Sequence, residues 1–189
     1  MTDYPNWFES VKPYFERHLK PWEGIDNLHF LQIGAYTGDA SIWMAKEVLT
    51  GDGSILIDVD TWEGSDEGIH HTFDWADVWE AYKQKVMNCY NVRPVKMTSE
   101  MYLSYGADTT FDFIYVDGDH TMNAVYRDAV GSWKILKPQG LLAFDDYTWG
   151  DSMTDQTLAP RPGIDRFLAE TSGEYELLEM GTQVWIRKN

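Results

Sequence analysis

Between Tyr4 and Leu19 the apolar residues Trp7, Phe8, Val11, Phe15 and Leu19 recur at helical spacing. Pro13 either kinks this segment or opens its second half. The pattern predicts an N-terminal helix, within residues 1–21, that covers one side of a sheet. After Pro21 and a turn-rich WEGIDN comes a short apolar run, His29 to Ile33, which ends at Gly34 and passes into a helical segment, Thr37 to Leu49, stopped by Gly51 and Gly53. Strand, glycine turn and helix follow in that order.

The same alternation continues. Ser54 to Val59 reads as a strand ending at Asp60, followed by an aromatic loop from Thr61 to Asp74. Trp75 to Cys89 reads as a helix and Val92 to Met97 as a strand. Phe111 to Val116 is an apolar strand, Met122 to Leu136 an amphipathic helix, Lys137 to Gly140 a turn, and Leu141 to Phe144 a further strand. Alternation at this spacing implies a parallel, doubly wound α/β sheet. Residues 147–162 have few periodic hydrophobes and form a long substrate-side loop before a helix from Ile164 to Thr171. Tyr175 to Glu179 and Gln183 to Arg187 alternate around a turn at Gly181, which predicts a terminal hairpin. No internal repeat or linker interrupts residues 1–189, so one domain is expected.

Composition narrows the partners. Asp and Glu number 31 against 15 Lys and Arg, a formal charge of −16 that repels phosphate backbones and anionic lipid. Nucleic acid and membrane surfaces are therefore not expected partners. No run approaches the ~20 apolar residues of a membrane span, and MTDYPNWFES has neither the basic start nor the apolar run of a signal peptide. A soluble, cytoplasmic protein is expected, with oligomeric state open. Cys89 cannot form an internal disulfide and reads as a buried small hydrophobe.

The chemistry concentrates at strand ends, where ligands of open α/β sheets bind. The first turn, Gly34-Ala35-Tyr36-Thr37-Gly38, has neither the G-x-G-x-x-G of dinucleotide folds nor a phosphate loop. Asp58 and Asp60 stand where an acid accepts hydrogen bonds from both hydroxyls of a ribose, Asp60 being preferred because it directly precedes the Thr61 loop. A nucleoside without phosphates fits these signals. Val116-Asp117-Gly118-Asp119-His120 and Phe144-Asp145-Asp146 close two strands whose ends emerge together. Asp117, Asp145 and Asp146 can supply hard oxygen ligands to one divalent cation, or can instead cap helices and solvate a loop. His120, in the turn after Asp117, is placed either to take a proton from a substrate hydroxyl or to serve as a hydrogen-bonded loop residue. His70 and His71 are weaker candidates. Trp62, Phe73, Trp75, Trp79 and Trp149 either wall a ligand site or complete the core.

IGAYTGDAS, IDVDTWEG, FDFIYVDGDH and LKPQGLLAFDDY, in this order, resemble the motifs of class I S-adenosylmethionine (SAM)-dependent methyltransferases. They are similar in particular to the small O-methyltransferases related to macrolide-sugar and catechol enzymes, many of which use Mg2+. The resemblance spans roughly residues 29 to 188. It implies a Rossmann-like seven-stranded sheet, mostly parallel with a C-terminal antiparallel hairpin and helices on both faces. It further implies SAM at Gly34, Ala35, Tyr36, Gly38, Asp58, Asp60 and Asp117, with Thr98 and Ser99 on the adenine side. Mg2+ or a similar cation is implied at Asp117, Asp145 and Asp146, with His120 and Asp117 in catalysis on a small hydroxylated substrate. Gln32 stands where such families commonly carry Glu, and Gln139 where they carry Gly. A metal-independent methyltransferase and a non-catalytic SAM-binding protein are the competing readings.

Overall fold

The computed structural model describes residues 4–65, 68, 70–105 and 109–189. Seven strands form one sheet: β1 (His29–Ile33), β2 (Ile55–Asp60), β3 (Val92–Lys96), β4 (Phe111–Val116), β5 (Leu136–Phe144), β6 (Tyr175–Met180) and β7 (Val184–Lys188). Their spatial order is β3-β2-β1-β4-β5-β7-β6, parallel from β3 through β5. β7 runs antiparallel to both β5 and β6. The strand order reverses between β1 and β4, and the crevice at that reversal is where a ligand site is built in such sheets.

Neighbouring residues of each strand serve opposite faces, and the burial follows that alternation. Phe30, Leu56, Phe113, Tyr115, Leu141, Ala143 and Trp185 pack with helices α1 (Phe8–Leu19), α2 (Asp39–Glu47) and α3 (Trp75–Val86). Leu31, Val59, Ile114, Val116, Leu142, Phe144 and Ile186 pack with α5 (Met122–Ile135) and α6 (Arg161–Glu170), with Tyr102 and Leu103 of the short α4 (Ser99–Tyr105) against their edge. Phe8, Val11, Phe15 and Leu19 of the expected α1 stripe are buried, whereas Trp7 precedes the helix and is exposed; Pro13 lies on the exposed side with the helix running through it. Cys89 is a buried free thiol. No helix among the described residues is long and apolar enough to cross a membrane.

Three elements differ from their expected form. α4 occupies the segment after Thr98, where the sequence reading stops at a strand end. Its hydrophobes touch only one core, so seven residues carry too little periodicity to announce a helix. The expected turn at Lys137–Gly140 is absorbed into β5, which starts immediately after α5. The register slips from Phe111↔Leu136 to Phe113↔Leu141, and Gln139 takes φ 64° to make the bulge. α6 begins at Arg161, earlier than Ile164, because Pro160 and Pro162 sit at helix-start positions where a missing N–H is harmless. Asp66, Glu67 and Ile69 of the expected aromatic loop lie outside the described residues.

Candidate active site

The glycine turn is shaped by contacts that leave no room for side chains. Gly34 has φ 84°, and a Cβ there would lie 1.8 Å from the carbonyl oxygen of Asp117. The end of β1 therefore presses directly on the end of β4, whose Asp117 N–H donates to Ile33 O at 2.9 Å. Gly38, at φ 81°, opens α2 with Tyr82 packed 2.9 Å from where its Cβ would be. Both glycines satisfy the left-handed backbone that the turn requires.

Asp60 fastens this turn. Its Oδ2 accepts the backbone N–H groups of Ala35 at 2.7 Å and Tyr36 at 3.0 Å, and its Oδ1 accepts that of Trp62 at 2.7 Å. Tyr36 is held at φ 48°, and its carbonyl oxygen receives the Trp62 indole N–H at 2.9 Å. Asp58 has a different place. It is fully buried, and its Oδ2 accepts the Tyr82 hydroxyl proton at 2.6 Å from α3. Burial raises its carboxyl to about 7 against the smaller opposing effect of that hydrogen bond. Gln32, beside Asp58 in the β1–β2 register, donates to Gly34 O at 2.8 Å and accepts from the Ser41 hydroxyl at 3.3 Å. A carboxylate in its place could not make the first of these bonds.

At the other side of the crevice two acids and an imidazole meet. Asp117, His120 and Asp146 each offer a ligand atom within 4.8 Å of the others. His120 Nε2 stands 3.1 Å from Asp146 Oδ2 and 3.8 Å from Asp117 Oδ1. Asp146 reaches this position because its backbone turns at φ 54°, which swings the residue off the strand's alternation. Asp145 does not join that triad. Its carboxylate accepts the Tyr115 hydroxyl proton on Oδ2 and the Asp146 N–H on Oδ1 at 2.8 Å. It nonetheless lines the same small cleft, of about 60 Å³, as Asp117, Gln32, Gly34, Tyr36, Trp7 and Phe8. Burial and then the neighbouring Asp145 charge push the Asp117 carboxyl well up, and burial followed by the Asp146 charge raises Asp145. The crevice thus crowds carboxyl groups whose burial and mutual repulsion disfavour their charged forms.

The remaining candidates divide between cleft and core. Trp149 rests on His120 with ring centroids 4.9 Å apart, at the mouth of the long loop. Trp62 is buried against Trp79 and Tyr82 and completes the core. Phe73 and Trp75 surround Tyr36 and His70, and the His70 ring nitrogen lies 2.7 Å from the Ser65 hydroxyl, so His70 belongs to a packed loop. His71 stands beside it in the short 3-10 turn His70–Thr72. Thr98 caps α4, accepting the Met101 N–H at 3.2 Å, and Ser99 is the first residue of that helix. Trp7, just before α1, and Phe8, its first residue, are cleft residues that periodicity alone assigns to a core stripe. Trp7 stacks on Tyr36 at 4.6 Å and closes the cleft over the turn.

Residues 31–147 match a family described as a methyltransferase domain. The Dictyostelium discoideum protein named probable caffeoyl-CoA O-methyltransferase 1 is 23% identical over 71% of this chain and 54% of its own length. The chain spans about half the length of the curated relatives it matches. Among solved structures, the O-methyltransferase TomG from Streptomyces achromogenes, in complex with SAM, aligns over 100% of this chain and 83% of that one, with TM-score 0.69 and 16% identity. MycE methyltransferase from the mycinamycin biosynthetic pathway, in complex with Mg and SAH, aligns over 99% of this chain and 51% of that one, with TM-score 0.65 and 15% identity. These likenesses establish the fold, and the matched segment runs from β1 through the end of β5, carrying the glycine turn and both acidic strand ends: the chain belongs to the methyltransferase domain family.

Proposed function

We propose that this chain transfers the methyl group of SAM to a hydroxyl of a small substrate, with a divalent cation at the acidic strand ends. The observation that carries the reading is the convergence of Asp117, His120 and Asp146 beside the glycine turn. TomG and MycE share this fold, the first determined with SAM and the second with Mg and SAH.

The donor set suits a hard cation. Carboxylate oxygens of Asp117 and Asp146 face one another across His120, and Asp145 lines the same cleft. Asp117 and Asp145, both raised by burial and by neighbouring acid charge, form with Asp146 a site that a divalent ion would suit. Asp117, Asp145 and Asp146 would hold it, Asp145 from the cleft wall. A cation there would supply Lewis acidity that favours the ionised form of a nearby acceptor hydroxyl.

The chain's own groups have separate tasks. His120 accepts the proton of the acceptor hydroxyl, and the carboxylates on either side compensate the positive charge it then carries. Asp60 holds the glycine turn through three amides and has acceptor capacity left for one ribose hydroxyl. Asp58, sealed behind Tyr82, supports the turn from below. Gly34, Ala35, Tyr36 and Gly38 shape the cofactor cradle, and Thr98 and Ser99 flank its adenine side at the end of β3. SAM brings an already activated methyl group, so alignment is the protein's main contribution. The Trp7–Tyr36 stack lies over the glycine turn at the cofactor cradle.

The test measures SAH release from SAM with a pool of hydroxylated metabolites, with Mg2+ and with chelator. Turnover that chelator abolishes is the expected result. Full turnover in chelator removes the cation from the mechanism, and SAM binding without turnover on any acceptor favours a non-catalytic binder.

A further inference from the structure

A hydrogen-bond chain runs along the α1-covered face of the sheet from Trp185 to Asp145. The Trp185 indole N–H donates to Gln183 Oε1 at 2.8 Å, and Gln183 Nε2 donates to the Tyr115 hydroxyl oxygen at 3.3 Å. Tyr115 in turn donates its proton to Asp145 Oδ2. Gln183, Tyr115 and Trp185 are all buried. Indole N–H is a donor only, so it fixes the orientation of the Gln183 amide. The amide's nitrogen then faces Tyr115, and the only proton Tyr115 can direct onward points at Asp145. The polarity of the whole chain is set at Trp185.

Topology makes this possible. The antiparallel β5–β7 register pairs Phe144 with Val184 and Ala143 with Trp185, which brings Gln183 level with Asp145. Tyr115 pairs with Ala143 on the other flank of β5, so both flanking strands aim at one carboxylate. Phe15 of α1 covers the chain, with its ring edge-on to Tyr115 at 4.9 Å and to Trp185 at 5.2 Å. Water is kept from competing for these bonds.

We propose that Tyr115, backed by Gln183 and Trp185, is a positioning relay that holds the Asp145 carboxylate at the cleft wall beside Asp117, preorganising the acidic site for a divalent cation. The Asp146 N–H on Oδ1 clamps the opposite side of the same carboxylate, so Asp145 cannot rotate away. This inference rests on the cation reading above and gives Tyr115, Gln183 and Trp185 a positioning role in it.

Calorimetric titration of the full chain with Mn2+, in saturating SAH, tests the relay. Tyr115→Phe keeps the ring and its Phe15 contact while deleting the bonds to Gln183 and Asp145, and Gln183→Met deletes those to Trp185 and Tyr115 at similar volume. Each is expected to weaken Mn2+ binding, Tyr115→Phe by about 10-fold or more, with the SAH dissociation constant within about twofold of wild type. Wild-type Mn2+ affinity in either folded variant overturns the relay. Equal loss of SAH and Mn2+ affinity also overturns it, since that marks a purely structural role. Wild-type protein that binds no Mn2+ overturns the cation reading itself, and the relay with it.

Discussion

Asp146 Oδ2 lies 3.1 Å from His120 Nε2, joining the end of β5 to the turn that follows β4. The contact exists because Asp146 adopts φ 54°, a conformation that Asn shares with Asp more readily than other side chains do. Asp146→Asn is therefore expected to fold normally while weakening Mn2+ binding by tenfold or more, read by calorimetry against an unchanged thermal midpoint. Unaltered Mn2+ affinity would place the cation elsewhere.

His120 is placed to take a proton rather than to bind cofactor. His120→Ala should lower kcat by about 10²- to 10⁴-fold and leave the dissociation constant of SAH nearly unchanged. Steady-state kinetics with an identified acceptor, paired with SAH titration, separates these effects. A variant that loses SAH binding instead would assign His120 to the cofactor site.

Asp60 ties three amides of two loops to one strand end. Hydrogen bonds to a charged group contribute about 1.5–3 kcal/mol each, and part of that is recovered from water in the variant. Asp60→Ala is expected to weaken SAM binding at least tenfold and to lower the thermal midpoint, whereas Asp58→Asn should spare SAM binding. The reverse order of effects would make Asp58 the ribose ligand.

Gly34 admits no side chain. In Gly34→Ala the Cβ meets the Asp117 carbonyl 1.8 Å away, at a φ unfavourable to alanine. The expected loss is roughly 3 kcal/mol or more, in the range of overpacking combined with backbone strain. Urea unfolding reads it directly, and a near wild-type midpoint would refute the close approach of β1 and β4.

Asp58 makes stability depend on pH. Its folded carboxyl is raised to about 7 by burial, above the ordinary value of 3.8, so the folded state binds the proton more tightly than the unfolded chain. The resulting stabilisation is complete below about pH 4 and is lost as pH rises through about 7, by at most roughly 4 kcal/mol. Asp128, raised by burial to about 7, acts with the same sign. Asp58→Asn, which keeps an acceptor for Tyr82, should be relatively more stable than wild type at pH 8 than at pH 5. Parallel urea curves at the two pH values, with no change in that difference, would contradict the assignment.

The sequence by itself determined the alternation of strands and helices, the terminal hairpin and the acidic strand ends. Each is written in local periodicity or in a short run such as Asp117-Gly118-Asp119-His120. Even so, α4 was hidden because a helix of seven residues touching one core has too few periodic positions, and the β5 bulge resembled a turn because both use a left-handed residue. Only the tertiary structure decided that β7 inserts between β5 and β6, that Asp146 rather than Asp145 turns to His120, and that Trp7 closes the cleft. These depend on contacts between residues far apart in the chain. The Tyr115–Gln183–Trp185 chain is the clearest instance: Tyr115 and Trp185 sit in buried strands and Gln183 just before β7, and their hydrogen bonds arise only when β4 and β7 settle on opposite flanks of β5.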